Sequence, residues 1–175
     1  MTFELQPTLQ GRLITVRPLR DDDFEALFAA ASDPLVWEQH PEPERYRREV
    51  FLHFFQSAMQ SGGAFAVIDR ASGQIIGSSR FWNLKEDQSE VEIGWTFLQR
   101  AFWGGGVNGE LKALMLAHAF RYVKRVVFVI GEDNRRSRRA VEKIGALFES
   151  VGERSAPDGT TRRNVVYALS RPESS

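Results

Sequence analysis

Gly104, Gly106 and Gly109, in the stretch F-W-G-G-G-V-N-G-E-L-K, match the spacing G-x-G-x-x-G. A glycine-rich turn feeding a helix presents several unpaired backbone N–H groups in a concave array. Glycine also lets the backbone take positive φ and approach a ligand closely. A diphosphate suits such a cradle, and a long turn without a ligand is the plain alternative, because short glycine patterns arise by chance. Further along, Arg135, Arg136, Arg138 and Arg139 crowd the segment D-N-R-R-S-R-R. Cations in the first turns of a helix oppose its dipole, so phosphate binding competes here with a simple solvated face. Glu92 stands in E-V-E-I-G-W-T-F-L, ahead of the glycines, as a carboxylate able to take a proton or merely to face water.

The bulk of the chain narrows what those residues can do. At 175 residues, 42% hydrophobic and 26% charged, it reads as a single globular domain, 1–175. Basic and acidic residues balance, 23 against 23, so no nucleic-acid or membrane partner is expected. There are no cysteines, which excludes disulfides, thiolate metal sites and a cysteine nucleophile. His40, His53 and His118 lie too far apart for ligand spacing, so no metal is expected. No apolar run approaches the roughly 20 residues of a membrane span, and the N-terminal residues lack a secretory pattern. A cytoplasmic location is the resulting expectation.

The elements that must position these groups follow from periodicity. Leu13 to Leu19 alternates as a first strand, and Phe24, Leu27, Phe28 and Ala31 set the inner face of a helix over Asp21 to Ala31. A second helix is expected from about Glu44 to Gln60, through Phe51, Phe54 and Phe55. Ala64 to Arg70, Gln74 to Trp82 and a strand from Glu90 form an antiparallel meander, because their connections are short. A largely apolar helix follows from Asn108 to about Val123, then Arg125 to Gly131 as a buried central strand. A short helix from Asn134 ends near Gly145, and a hairpin turning at A-P-D-G-T closes the chain. The class is α+β: a mixed, mostly antiparallel sheet flanked by helices.

That order argues against a Rossmann-type nucleotide turn, although Glu132 lies near the expected position downstream. Gly104 does not follow its strand directly, the preceding strands form a meander rather than βαβ units, and too few residues follow Ile130. Together, E-I-G-W-T-F-L, W-G-G-G-V-N-G-E-L-K and D-N-R-R-S-R-R-A-V-E-K-I-G-A resemble the GCN5-related N-acetyltransferase (GNAT) superfamily. Within it the pattern is most similar to the RimJ/RimL-like branch, and the resemblance covers nearly the whole chain.

The resemblance implies a splayed central strand pair and acetyl-CoA as cosubstrate. The diphosphate would rest on the amides of Gly104, Gly105, Gly106, Val107, Asn108 and Gly109, and the pantetheine arm on the backbone of Thr96, Phe97 and Leu98. Asn134 and Arg138 complete the implied cofactor contacts. Two positions depart from the family pattern. Ala101 stands where Gln or Arg is usual, and Val141 stands where many relatives carry a tyrosine acid. Glu92, on the same face as Gly94 and Thr96 by alternation, is the expected base, and Ser137 the expected acid. Acetyl transfer to a primary amine, by direct attack in a ternary complex, is the implied reaction. The acceptor would be a protein N-terminus or a small molecule, possible pocket residues include Trp37 and Trp82, and a homodimer is compatible with the family. An acyl-CoA-binding regulator without catalysis is the alternative that Val141 suggests.

Overall fold

In the computed structural model, which describes residues 2–155 and 159–173, the alternating segments join into one eight-stranded sheet. Its strands are β1 Leu9–Gln10, β2 Ile14–Pro18, β3 Ala64–Asp69, β4 Ile75–Lys85, β5 Glu90–Leu98, β6 Arg125–Gly131, β7 Leu147–Ser155 and β8 Thr161–Ser170. They lie in the order β1-β2-β3-β4-β5-β6-β8-β7, antiparallel throughout except for the pair β5 and β6. The helices are α1 Phe24–Ala31, α2 Pro34–Trp37, α3 Arg48–Ser61, α4 Val107–Ala119 and α5 Arg135–Lys143. This is the expected mixed α+β sheet flanked by helices.

Local chemistry explains where the elements differ from their expected bounds. The aspartates at 21–23 form a 3₁₀ turn rather than the first turn of α1, because Asp23 is drawn inward by Arg17 (2.8 and 2.9 Å) and the Arg20 amide (2.8 Å). α3 starts at Arg48 instead of Glu44, since residues 44–47 make a turn closed by Arg47 N–H on the Glu44 carbonyl (2.9 Å). β1 has only two residues, too few for alternation to register, and the single turn of α2 is capped by Asp33 with Pro34 next. Gly145 does adopt the left-handed conformation (φ +96°) expected after α5. The β7–β8 reversal falls partly on residues 156–158, outside the described residues.

Two apolar cores form, one on each face of the sheet. α4 lays Leu111, Met115 and Ala119 on Phe81, Val91, Ile93 and Phe128. On the opposite face, α1 and α3 pack Leu27, Phe51 and Phe54 on Ala66 and Phe97. Each fully buried ring of this kind contributes about 1.5–3 kcal/mol.

The two central strands diverge. β5 and β6 pair in parallel only through Glu90↔Arg125, Val91↔Val126 and Glu92↔Val127. Beyond that point β6 continues against β8 alone, and β5 against β4. A bulge drives the divergence. Phe81 pairs with Ile93 and Arg80 with Gly94, yet Ser78 pairs with Phe97, so Trp95 and Thr96 together stand opposite Ser79. Trp95 takes φ +53°, a conformation rare for a bulky residue. Across the ladder Gly77 is required, because a Cβ there would fall 2.1 Å from the Phe97 carbonyl oxygen.

The start of α4 is fixed by a clamp that sequence reading missed. The Glu110 carboxylate accepts from the backbone N–H groups of Arg12 (2.7 Å), Leu13 (2.8 Å) and Ile14 (3.0 Å). It thereby ties the β1–β2 connection to the helix that follows the glycines. Glu110→Ala leaves at least two partly buried amides unpaired, and we expect it to destabilise the fold by about 2–4 kcal/mol. A change in unfolding free energy below ~0.5 kcal/mol by denaturant titration of that variant would count against the clamp.

Candidate active site

The divergence opens a cleft of about 440 Å³ that passes between β5 and β6. Residues from both faces line it. Asn108, Lys112 and Val141 come from the face covered by α4 and α5; Trp37, His40 and Arg45 come from the segment between α1 and α3 on the other. A ligand lying in this cleft has the backbone of Ile93–Leu98 on one side and that of Phe128–Gly131 on the other.

At one end stand the glycines. Gly104 (φ +74°) and Gly106 (φ +87°) take the left-handed conformation, and Gly106 is the N-cap of α4 with no side chain capping it. A Cβ on Gly104, Gly105 or Gly109 would meet nothing within 4 Å. The amides of Val107, Asn108 and Gly109 therefore head an uncapped helix beside open space, the arrangement that suits an anion. Trp103 closes the approach: its indole N–H donates to the Leu98 carbonyl (2.9 Å), and the Arg136 guanidinium lies 4.0 Å from its ring centroid.

The arginine block divides in a way its sequence does not reveal. Arg136 lines the cleft, whereas Arg138 does not. Arg138 donates to the Glu132 carbonyl (2.8 Å) and the Tyr167 hydroxyl (3.2 Å) instead. Asn134 caps α5, its side-chain oxygen accepting from Ser137 N–H (3.3 Å), and both residues line the cleft. Val141, also in the lining, is buried against the first core.

The bulge revises the expected faces of β5. Glu92 and Gly94 do share a face, but Thr96 points to the other, where its hydroxyl meets Ser79 Oγ (2.8 Å) and Lys112 Nζ (2.9 Å). Simple alternation failed because Trp95 inserts an extra residue. Phe97 and Leu98 border the cleft while their side chains pack into the two cores. Trp37 lines the cleft as expected; Trp82 does not, packing instead edge-on against Trp95 (6.0 Å).

Glu92 is 3% exposed. Burial pushes its carboxyl above the usual range, opposed by Arg154, which donates to Oε1 at 2.8 Å, and by more distant Lys85 and Arg80. The other oxygen, Oε2, lies 3.3 Å from where a Cβ of Gly94 would be. One carboxylate oxygen is thus held, and the other has no hydrogen-bond partner among the described residues.

Lys112 was not singled out from sequence, since a lysine four residues into an apolar helix ordinarily snorkels to solvent. Here it is buried, its one hydrogen bond going to Thr96, with no carboxylate in ion-pair range among the described residues. Burial pushes it down from 10.5 to about 8. Between pH 8 and 10.5 the unfolded chain therefore holds more protons, and stability rises with pH across that window. We expect Lys112→Met to stabilise the protein at pH 7 by about 2–4 kcal/mol, and the gain to vanish near pH 10.5. Thermal unfolding of both proteins across that range checks this; a pH-independent difference would contradict it.

Comparison with known proteins accords with this geometry. The sequence profile of the acetyltransferase (GNAT) domain matches residues 13–147. The chain is 24% identical over 174 residues to the uncharacterized N-acetyltransferase YoaA of Bacillus subtilis (strain 168), covering 95% of this chain and 98% of that one. Its fold is similar to that of a GCN5-related N-acetyltransferase from Brucella melitensis, with a TM-score of 0.82, 23% identity and coverage of 97% and 80%. It is also similar to Mycobacterium smegmatis RimJ in complex with CoA-disulfide, with a TM-score of 0.71, 18% identity and coverage of 94% and 86%. On the extent of the profile match, this chain belongs to the GNAT family and is an acetyltransferase enzyme.

Proposed function

We propose that the protein transfers an acetyl group from acetyl-CoA to a primary amine, by direct attack within the cleft between β5 and β6. The observation that carries this reading is the splay itself, which opens onto the uncapped glycine end of α4. Acetyl-CoA supplies an activated thioester carbonyl. Within the family, the D-N-R-R-S-R-R block favours the RimJ/RimL-like branch, and the RimJ neighbour in complex with CoA-disulfide accords with the cosubstrate.

The chain's own groups divide the work. The amides of Gly104 to Gly109 suit a diphosphate, and Arg136, beside Trp103, is the cleft arginine that adds a charge there in place of Arg138. Past the bulge, the backbone of Thr96, Phe97 and Leu98 borders the cleft and suits the amides of a pantetheine arm, as when an extended ligand adds to a sheet edge. Asn134 orients the start of α5. Glu92 takes the proton of the incoming ammonium at Oε2 while Arg154 holds Oε1, and its burial raises its affinity for that proton. Ser137, whose hydroxyl makes no hydrogen bond among the described residues, is the donor to the departing sulfur.

Calorimetry and thiol-release assays test the assignment. The protein binds acetyl-CoA, and Glu92→Gln keeps that binding while turnover falls by about 10²–10⁴-fold. Absence of acetyl-CoA binding would end the reading; unchanged turnover would remove Glu92 as the base. For the arginines, Arg136→Ala weakens acetyl-CoA binding by about 10-fold and Arg138→Ala leaves it within ~2-fold. The reverse order would restore the role to Arg138.

A further inference from the structure

The cleft's second end, on the face away from α4, is built around buried cations. Arg45, 9% exposed, lines it, and Arg80, 2% exposed, stands behind it. Both guanidinium groups lie over the ring of Phe54, with centroid distances of 4.9 and 5.5 Å. Arg80 also lies over Trp95 at 4.5 Å. Two like charges so close, shielded from water, repel each other and are each costly to bury without a counter-ion.

Their polar partners fall short of the need. Arg45 has one carboxylate, Glu42 at 2.8 Å. Arg154, at the same end, has Glu92. Arg80 has no carboxylate within ion-pair range among the described residues, only the Ser57 hydroxyl at 3.3 Å. Arg45 Nε and Arg80 Nη2 are buried with no hydrogen-bond partner. His40 cannot make up the deficit. Glu42 N–H (2.9 Å) and Arg45 Nη1 (3.3 Å) face its two ring nitrogens, and a neutral imidazole accepts at only one of them. One further N–H is left without an acceptor. This concentration of buried cationic donors with too few acceptors suits a negatively charged group at this end of the cleft.

Resting on the acetyl-transfer reading above, we propose that the acceptor carries an anionic oxygen group, a carboxylate or phosphate, seated against Arg45 with Arg80 behind it. Gly94, the ladder partner of Arg80, leaves the approach open, since a Cβ there would meet only the Glu92 carboxylate. Trp37 and Trp95 supply apolar walls. The acceptor is thus a small amino acid-like molecule: its acid group meets the arginines and its amine the free oxygen of Glu92. A polyamine is excluded by charge, and an uncharged amine leaves the donors unpaired.

Two measurements test this. In the first, α-amino acids are compared as acceptors with their carboxamides and their aminophosphonate analogues. The acids or phosphonates exceed the carboxamides in kcat/KM by about 10- to 100-fold, the worth of a hydrogen bond to a charged group, and the better of the two names the anion. Carboxamides or polyamines used equally well or better would overturn the proposal. The second needs no known acceptor. Sulfate is titrated against chloride of matched ionic strength into the CoA-loaded protein, and the unfolding temperature is followed. Wild type gains a saturable stabilisation that Arg45→Met and Arg80→Met both lack, each variant being checked for a folded state by its retained acetyl-CoA binding. Identical sulfate responses in wild type and either folded variant would overturn the anion site. Failure of wild type to bind acetyl-CoA would instead remove the acetyl-transfer reading, and sulfate titration of the unloaded protein would still judge the arginines.

Discussion

The bulge at Trp95 is the constraint around which the centre of the molecule is arranged. One inserted residue in β5 ends its pairing with β6 after Glu92, and so creates a cleft inside a sheet that would otherwise be continuous. The same insertion reverses the side chains that follow, sending Thr96 beneath the sheet to Lys112 and leaving Glu92 and Trp95 above it. A bulky residue at positive φ costs roughly 1–3 kcal/mol and persists only when its surroundings hold it. Here Trp95 is held by Arg80 on one side, Arg154 at 5.6 Å and the edge of Trp82. Those arginines therefore act twice, on the backbone and on the charge of the cleft.

The sheet also separates two electrostatic tasks. On the α4 side the positive end is largely backbone: glycine amides and an uncapped helix start, with Arg136 beside them. On the α1 and α3 side the positive charge is carried by guanidinium groups packed among aromatic rings, where low polarizability of the surroundings makes each charge count for more. Glu92 lies at the passage between them, pinned by one oxygen. Its carboxylate thus borders the arginine side of the cleft while remaining next to the widening gap between the strands.

Much of this was legible in the sequence. The meander, the helix after the glycines and the left-handed Gly145 follow from period and turn chemistry, and the glycine loop with the D-N-R-R-S-R-R block pointed to the family. What stayed hidden depends on tertiary neighbours. The extra residue at Trp95 has only the neighbouring Gly94 as a local signal, and a strand glycine by itself does not fix where a bulge falls, so alternation put Thr96 on the wrong face. Arg136 and Arg138 are indistinguishable by type; their separation arises because Tyr167 and the Glu132 carbonyl capture only one of them. Lys112, Arg45 and Arg80 read as ordinary surface cations until the fold encloses them.

The placement of the large aromatic side chains has an optical consequence. Of the four tryptophans, Trp37, Trp95 and Trp103 line the one cleft, and Trp82 rests against Trp95. All three sit beside guanidinium groups, Arg45 over Trp37, Arg80 over Trp95 and Arg136 over Trp103, and Trp37 also packs against Phe97 and His40. Indole emission is sensitive to neighbouring charge and to water, so nearly all of the protein's intrinsic fluorescence originates where its ligands would lie. The protein carries its own spectroscopic label in the cleft between β5 and β6.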